Sequence, residues 1–136
     1  MNDTDTDNGY ETIRIERPVD HLGTIVHDRP DAMNSINAQM LDELDAAIDQ
    51  LEAANDVRAV MVRGAGERAF SAGADVQSSG AMDHRAGTEH SRRGQRVFGR
   101  FRETDLPVVA AIDGYCLGGG LELSMCADLR VASQRS

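Results

Sequence analysis

The sequence predicts one domain of the α/β class, on three observations. The chain has 136 residues, which fits within the ~50–250 residues of an ordinary single domain. Short apolar runs rich in β-branched residues alternate with a longer stretch in which apolar residues recur at helical spacing. A further apolar run follows that helical stretch directly, which is typical of a βαβ unit with parallel strands.

The first elements are predicted to be a polar tail and a β-hairpin. Residues 1–9 are Asp, Thr, Asn and Gly after Met1, too polar to bury a core, so we expect a disordered acidic tail. Two runs, at 12–15 and 22–27, carry apolar and β-branched residues and are separated by Pro18-Val19-Asp20. We interpret this pair as a β-hairpin.

An amphipathic helix and a buried strand are predicted next. Ser35-Ile36-Asn37 offers capping side chains for the helix start. The apolar residues that follow, mostly three or four positions apart, form one stripe: Met40, Leu41, Leu44, Ile48 and Leu51. After this helix, residues 57–62 are a nearly continuous apolar run closed by Gly64-Ala65-Gly66, as expected of a buried strand.

The remainder of the chain is less regular. Residues 64–90 show no periodicity and are predicted to form a loop longer than packing alone requires. Weak helical spacing resumes over 92–102, and the most apolar segment, 106–112, is predicted to be a central strand. A glycine cluster, a short helix and one more strand are predicted at 118–120, 121–127 and 128–132.

Composition argues against several classes of protein. The longest apolar run, 108–112, is well short of the ~18 residues of a membrane-spanning helix. The N-terminus has neither the positive region nor the apolar segment of a secretory signal, so we expect a cytoplasmic protein without membrane contact. Cys116 and Cys126 are too few for a disulfide scaffold and lack metal-ligand spacing, so we expect small buried residues. The histidines also lack metal spacing and are interpreted as structural or surface residues: His21, His27, His84 and His90.

The charge balance indicates an acidic surface. The formal net charge is −9, which repels polyphosphate backbones and argues against nucleic acid as a partner. All 14 basic residues are arginine, and the 23 acids are 15 Asp and 8 Glu. Such a surface stays hydrated in concentrated salt, where screening removes most of its self-repulsion, so we predict a halophile. A GC-rich genome would explain the missing lysine but not the acidic excess.

One segment, residues 112–122, combines a strand, a glycine-rich turn and a helix that carries a carboxylate. Glycines let a ligand approach the backbone, and the N–H groups at a helix start can bind an oxyanion. Glu122 lies three residues after Gly119, about one helical turn along on the same side. Phosphate binding and simple close packing are the alternatives, but the pattern matches neither nucleotide-binding fingerprint.

A second segment of small residues, 68–76, also follows a predicted strand. By composition alone it is only a loop. Two such segments, however, could each supply one N–H group to a single carbonyl oxygen, which is how oxyanion holes are commonly assembled.

Three motifs in the same order resemble the enoyl-CoA hydratase/isomerase (crotonase) family. They lie at 29–37 (RPDAMNSIN), 69–75 (AFSAGAD) and 107–123 (PVVAAIDGYCLGGGLEL), and the resemblance spans residues 10–132. It implies a ββα spiral, here incomplete, as the N-terminal half to two-thirds of the core domain. It also implies an enoyl-CoA hydratase that adds water across the 2,3 double bond of a thioester in fatty-acid β-oxidation. An isomerase or another crotonase-fold reaction is the alternative within the family.

The resemblance also assigns roles to residues. By motif position, the N–H groups of Ala74 and Gly119 form the oxyanion hole, and Glu122 holds and activates water. The implied substrate-binding residues are Ala72, Ala74, Asp75, Val76, Gln77 and Gly119. Coenzyme A is part of the substrate, so no separate cofactor and no metal are implied.

Gln77 departs from the family pattern, because many members carry a basic residue there, near the CoA phosphates. Without lysine, that contact would have to come from arginine. The arginines available by type are Arg29, Arg85, Arg92 and Arg93, with a solvated surface role as the alternative for each.

The resemblance further implies a longer protein that forms a homotrimer or hexamer. Only 14 residues follow Glu122, and the family's second catalytic glutamate and its C-terminal helices lie beyond that point. We expect apolar faces to be left uncovered, so that the chain alone is marginally stable or prone to aggregate. The enzyme activity is therefore expected of the full-length protein, and we expect no activity from these 136 residues alone. A catalytically inert fragment, at most able to bind CoA or associate with other chains, is the alternative to an enzyme.

Overall fold

A β-hairpin followed by alternating helices and strands forms the framework of the computed structural model, which describes residues 9–80 and 82–136. The strands are β1 (Ile13–Glu16), β2 (Leu22–His27), β3 (Ala59–Gly64), β4 (Ala69–Ser71), β5 (Val108–Ile112), β6 (Tyr115–Cys116) and β7 (Leu129–Ala132). The helices are α1 (Ala38–Ala53), α2 (Val76–Ser79), α3 (His84–Glu103) and α4 (Gly119–Met125), with a 3-10 turn at Pro30–Ala32. The predicted tail lies outside the described residues, except for Gly9.

The larger sheet has the strand order β1-β2-β3-β5-β7. β1 and β2 are antiparallel, with Ile15 opposite Ile25, which confirms the predicted hairpin. β3 returns beside β2 in parallel after α1, with Ile25 opposite Val62, which confirms the predicted βαβ unit. β5 and β7 extend the sheet in parallel. The α/β class is therefore confirmed.

Helix α1 covers one face of this sheet with the predicted apolar stripe. The Oδ1 of Asn37 accepts a hydrogen bond from the backbone N–H of Met40 at 2.8 Å, so the predicted cap is confirmed. The five predicted residues of the stripe are buried, together with Ala47. They form the core with sheet residues such as Ile25 and Val62 and with Phe101 of α3.

Helix α3 begins at His84, eight residues before the predicted start at 92, and it occupies the end of the predicted loop. Its buried residues are Val97, Phe98 and Phe101, all in its second half. The first half is mostly exposed and polar, so it carries no apolar periodicity. This is why the sequence predicts a loop there.

Arginines attach α3 to the acidic face of α1. The guanidinium of Arg100 lies 2.5 Å from the carboxylate of Asp45 and 2.6 Å from that of Asp49. Two turns earlier in α3, Arg93 forms an ion pair with Asp42. These contacts hold α3 alongside α1, where α3 also packs against α4.

A second, two-stranded sheet is absent from the sequence prediction. β4 and β6 pair in parallel, with Ala69 opposite Tyr115 and Ser71 opposite Cys116. The helix that follows β6 begins at Gly119 rather than at residue 121. Gly120 lies in its first turn because α4 packs closely on β4: a Cβ at this position would lie 2.6 Å from the carbonyl oxygen of Ser71.

An apolar surface is exposed around α4 and β7. Its large side chains are Tyr115, Leu117, Leu121, Met125, Leu129 and Val131, each at least 46% exposed. β7 forms an edge of the larger sheet, and all its residues are exposed. Uncovered apolar faces of this kind are what the sequence analysis expects.

The two cysteines are free and half-buried against the core. The expectation of small buried residues is therefore met only in part. Within the described part of the chain, no helix has both the length and the apolar character to cross a lipid bilayer.

Candidate active site

The small sheet brings the two predicted site segments together. The N–H of Leu117 donates to the carbonyl oxygen of Ser71 at 3.0 Å, so the chain pairing continues past the ends of β4 and β6. Because parallel strands end at the same edge of a sheet, residues 72–74 and 117–119 lie side by side. Ala74 and Gly119 are each the third residue after their strand.

The orientation of the Ala74 N–H is set by a third segment, which contains Ile36. The N–H of Ile36 donates to the carbonyl oxygen of Gly73 at 2.8 Å, and the N–H of Asp75 donates to the carbonyl oxygen of Ile36 at 3.0 Å. The Gly73 carbonyl and the Ala74 N–H belong to the same planar trans peptide and point in opposite directions. Since the carbonyl faces Ile36, the Ala74 N–H faces away from it.

Two backbone donors therefore flank one open space. Neither the Ala74 N–H nor the Gly119 N–H donates a hydrogen bond to another described residue. A Cβ placed on Gly119 would lie 3.7 Å from the Ala74 nitrogen, and one on Gly73 would lie 3.2 Å from the Gly119 nitrogen. Gly73 has a φ of +100°, a conformation that favours glycine. The missing side chain at Gly119 keeps the space between the donors open.

A cavity of about 240 Å³ lies at these donors. It is lined by Ile36, Leu41, Ala74, His90, Ser91, Gly94, Gln95, Phe98, Gly119 and Glu122. The structure thus brings together Ala74, Gly119 and Glu122, which the sequence analysis takes from three positions in two motifs. The volume is below the ~300–1,000 Å³ of typical ligand pockets.

The other predicted binding residues do not line this cavity. Ala72 is half-buried behind it, and Val76 and Gln77 are exposed at the start of α2. Asp75 caps α2 by accepting a hydrogen bond from the Gln77 N–H at 3.1 Å. Burial alone would raise the pKa of Asp75, but hydrogen bonds from Arg29 and from backbone N–H groups outweigh it and lower that pKa below its usual value.

One wall of the cavity comes from α3 and is missing from the sequence prediction. It consists of His90, Ser91, Gly94, Gln95 and Phe98. His90 is interpreted from the sequence as a structural or surface residue because the histidines lack metal spacing, and residues 64–90 are predicted to form a loop. Once the helix is extended to His84, Ser91, Gln95 and Phe98 fall at helical spacing on one side, which is the signal that could have found them.

The candidate arginines do not line the cavity either. Arg29 is held by Asp75 at 3.0 Å and Arg93 pairs with Asp42, whereas Arg85 and Arg92 are exposed on α3. Across residues 9–80 and 82–136, no group of three His, Cys, Asp or Glu side chains is arranged to hold a metal ion.

Comparison with known proteins supports the resemblance to the enoyl-CoA hydratase/isomerase family that the three motifs indicate. A family model for enoyl-CoA hydratase/isomerase matches residues 20–136. The short-chain-enoyl-CoA hydratase of Clostridium acetobutylicum is 37% identical over 115 residues, which are 85% of this chain and 44% of that protein. The crotonyl-CoA hydratase of Syntrophomonas wolfei is 36% identical over 130 residues, which are 93% of this chain and 48% of that protein.

A solved structure extends the likeness to three dimensions. The crystal structure of an enoyl-CoA hydratase from Bacillus anthracis superimposes with a TM-score of 0.90 at 31% identity, over 93% of this chain and 49% of that one. The chain thus spans about half the length of the relatives it matches. The predicted fold, an incomplete crotonase-like spiral, is confirmed. Motifs, family model and fold agree, and the chain belongs to the enoyl-CoA hydratase/isomerase family.

Proposed function

We propose that the chain provides part of the active site of an enoyl-CoA hydratase, with an acyl-CoA thioester as substrate. The observation that carries the proposal is that the N–H groups of Ala74 and Gly119 and the side chain of Glu122 meet at one cavity. The hydratase names of the relatives from Clostridium acetobutylicum and Syntrophomonas wolfei support it. Coenzyme A enters as part of the substrate, and the proposed chemistry needs no other cofactor.

The two backbone donors would stabilise the intermediate. When the oxygen of water bonds to C3 of the enoyl group, the electrons of the 2,3 double bond move towards the thioester and leave negative charge on its oxygen. Ala74 and Gly119 would donate hydrogen bonds to that oxygen, and both are held in place before the reaction begins. Removal of one such donor typically costs ~3 kcal/mol of transition-state stabilisation.

Glu122 would act as an acid or base on the attacking water. Glu122 lines the cavity one helical turn after Gly119, so its carboxylate could accept a proton from the water as the C–O bond forms. C2 must then receive a proton to complete the addition. In the full-length protein, we propose that a second glutamate shares this task, and that the protein assembles as a homotrimer or hexamer.

An isomerase is the second candidate. Among the described residues that line the cavity, Glu122 is the one carboxylate. One carboxylate suffices to remove a proton from C2 of a 3-enoyl thioester and return it at C4, through the same stabilised enolate. A site that binds acyl-CoA without turning it over is the third possibility.

The test is a comparison of Glu122→Gln with wild type, in the 136-residue chain and in the open reading frame that contains it. Hydration of crotonyl-CoA is followed by loss of the enoyl thioester absorbance, isomerisation of a 3-enoyl-CoA is followed in parallel, and binding is measured by calorimetry. We expect Glu122→Gln to lower hydration by about 100-fold or more while crotonyl-CoA still binds. Glu67→Gln, at an exposed position away from the cavity, is the matched control.

The outcomes separate the three candidates. Unchanged hydration in Glu122→Gln contradicts the role of Glu122. Isomerisation without hydration favours the second candidate, and binding without turnover favours the third.

A further inference from the structure

Arg29 joins the two segments that orient the Ala74 N–H. Its Nη1 donates to the carbonyl oxygen of Ser35 at 2.7 Å and lies 3.2 Å from the Ser35 hydroxyl. The same nitrogen lies 3.0 Å from Oδ2 of Asp75. The two charged side chains are only 23% and 14% exposed. One guanidinium therefore fastens the segment before Ile36 to the residue that follows Ala74.

The two segments that Arg29 contacts are the ones that set the direction of the Ala74 N–H. Ser35 precedes Ile36, whose N–H holds the Gly73 carbonyl at 2.8 Å. Asp75 follows Ala74 and is fixed twice, because its N–H donates to Ile36 and its carboxylate accepts from Gln77. The Gly73–Ala74 peptide is thus clamped on both sides, and rotation of that peptide would turn the Ala74 N–H away from the cavity.

Arg29 can hold the Gly73–Ala74 peptide in place without touching the cavity. Arg29 is not among the residues that line it, and its charge is already matched by Asp75. A guanidinium suits this place because its planar donors hold acceptors on two segments at a fixed angle, which an ammonium group does not.

We propose that Arg29 is a positioning residue that holds the Ala74 N–H in place through Ser35 and Asp75. The inference rests on the proposed function, in which that N–H stabilises the thioester oxygen. Misplacement of a reacting group by about 1 Å can cost 100-fold in rate. Loss of Arg29 should therefore lower kcat much more than it raises KM.

The experiment compares Arg29→Met with Arg14→Met. Arg14 is the matched control, because it lies on β1, away from the cavity, and forms a similar ion pair. Its guanidinium lies 2.9 Å from the carboxylate of Asp28, and its side chain is 27% exposed. NMR of the 136-residue chain gives the chemical shift of the Ala74 amide and the hydrogen exchange rate of the Ile36 amide. Crotonyl-CoA hydration gives kcat and KM.

In Arg29→Met we expect a shifted Ala74 amide signal and Ile36 exchange faster by about tenfold, because the clamp opens locally. We expect both to keep their wild-type values in Arg14→Met. Hydration should show a kcat lower by about 10- to 100-fold with KM changed less than about twofold. Arg29→Lys, which keeps the charge but lacks the planar guanidinium donors, should lie between Arg29→Met and wild type.

A double-mutant cycle tests the pair itself. Asp75→Asn keeps a side-chain oxygen that can cap α2 but loses the charge that pairs with Arg29. If the pair acts as a unit, Arg29→Met combined with Asp75→Asn should be no worse than the more severe single variant. Additive losses would overturn the proposed route through Asp75.

Two further results would overturn the proposal. One is a wild-type Ile36 exchange rate and Ala74 shift in Arg29→Met. The other is a raised KM with unchanged kcat, which would indicate that Arg29 contacts the CoA phosphates instead. A wild-type chain that hydrates no enoyl-CoA counts against the proposed function alone, and the two amide measurements then decide the inference.

Discussion

Lowering the pH below about 6.5 is expected to destabilise the chain through the imidazole of His27. This side chain is fully buried at the end of β2, with its ring 5.1 Å from that of Phe70 in an edge arrangement. Its Nδ1 donates to the Phe70 carbonyl oxygen at 3.0 Å. Its Nε2 is buried and has no hydrogen-bond partner among the described residues. A proton on Nε2 would therefore be a buried charge without an acceptor.

The magnitude follows from the pKa of this group. Burial lowers the pKa of His27 from 6.5 to about 4, against the opposing effect of the hydrogen bond to Phe70. Between these two values the unfolded chain binds a proton that the folded chain does not, so stability is complete above about pH 6.5 and is lost as the pH falls. At roughly 1.4 kcal/mol for each pKa unit, the loss is on the order of 1 kcal/mol by pH 5.5 and 2–3 kcal/mol by pH 4.5. Domains of this size are stable by only about 5–15 kcal/mol.

Urea unfolding at several pH values between about 4.5 and 7.5 measures this loss. His27→Gln removes the titrating group, so its stability should be lower overall but should fall less steeply than that of wild type between about pH 6.5 and pH 5.5. His21→Gln is the matched control, because His21 is exposed on the turn before β2 and should leave the wild-type slope unchanged. Equal slopes for wild type and His27→Gln would refute the reasoning.

Three further perturbations test the site, the packing of α3 and the surface. Gly119→Ala should fold normally, because its Cβ would lie an ordinary 3.7 Å from the Ala74 nitrogen. The added methyl group should nevertheless fill the space between the two donors and abolish the crotonyl-CoA binding measured by calorimetry. Undiminished binding would contradict the proposed location of the thioester oxygen. Arg100→Gln should lower the free energy of unfolding by about 0.5–1 kcal/mol, because its ion pairs with α1 are partly exposed. Arg102→Gln, at an exposed position on α3, is the control. A loss in Arg100→Gln no larger than that in the control would count against a stabilising role of these ion pairs. Multimolar KCl should raise Tm by screening the net charge of −9, whereas equal Tm values in dilute and concentrated KCl would remove the support for a halophile.

The elements that the sequence predicts well are those that bury a face. The stripe from Met40 to Leu51 and the runs in β2 and β3 carry the periodicity of their own secondary structure, so type and position follow from the residues. The first half of α3 buries little, and its helix shows no apolar pattern. β4 and β6 have only three and two residues, too few for any periodic signal. Their pairing depends on contacts between residues far apart in the chain.

The candidate site divides in the same way. Ala74, Gly119 and Glu122 come from short motifs whose glycines and small residues are visible in the sequence, and the structure places them at one cavity. Helical spacing places Ser91, Gln95 and Phe98 on one side of α3, but the position of α3 against α4, which brings that side to the cavity, could not be predicted. The tie between Arg29 and Asp75 links residues 46 positions apart, and no local pattern indicates it.

The small sheet of β4 and β6 also determines which changes in length this protein can tolerate. Each donor is the third residue after its strand, and each directly follows a glycine at positive φ, Gly73 or Gly118. Deletion or insertion of one residue within 72–74 or 117–119 would therefore move a donor N–H away from the position that the site needs. The exposed turn at Gly66 and Glu67 lies before this pairing, which begins where the N–H of Tyr115 donates to the carbonyl oxygen of Arg68, so a change in its length should move neither donor. Among relatives of this chain, gaps in an alignment should accordingly collect in that turn and avoid the two donor segments.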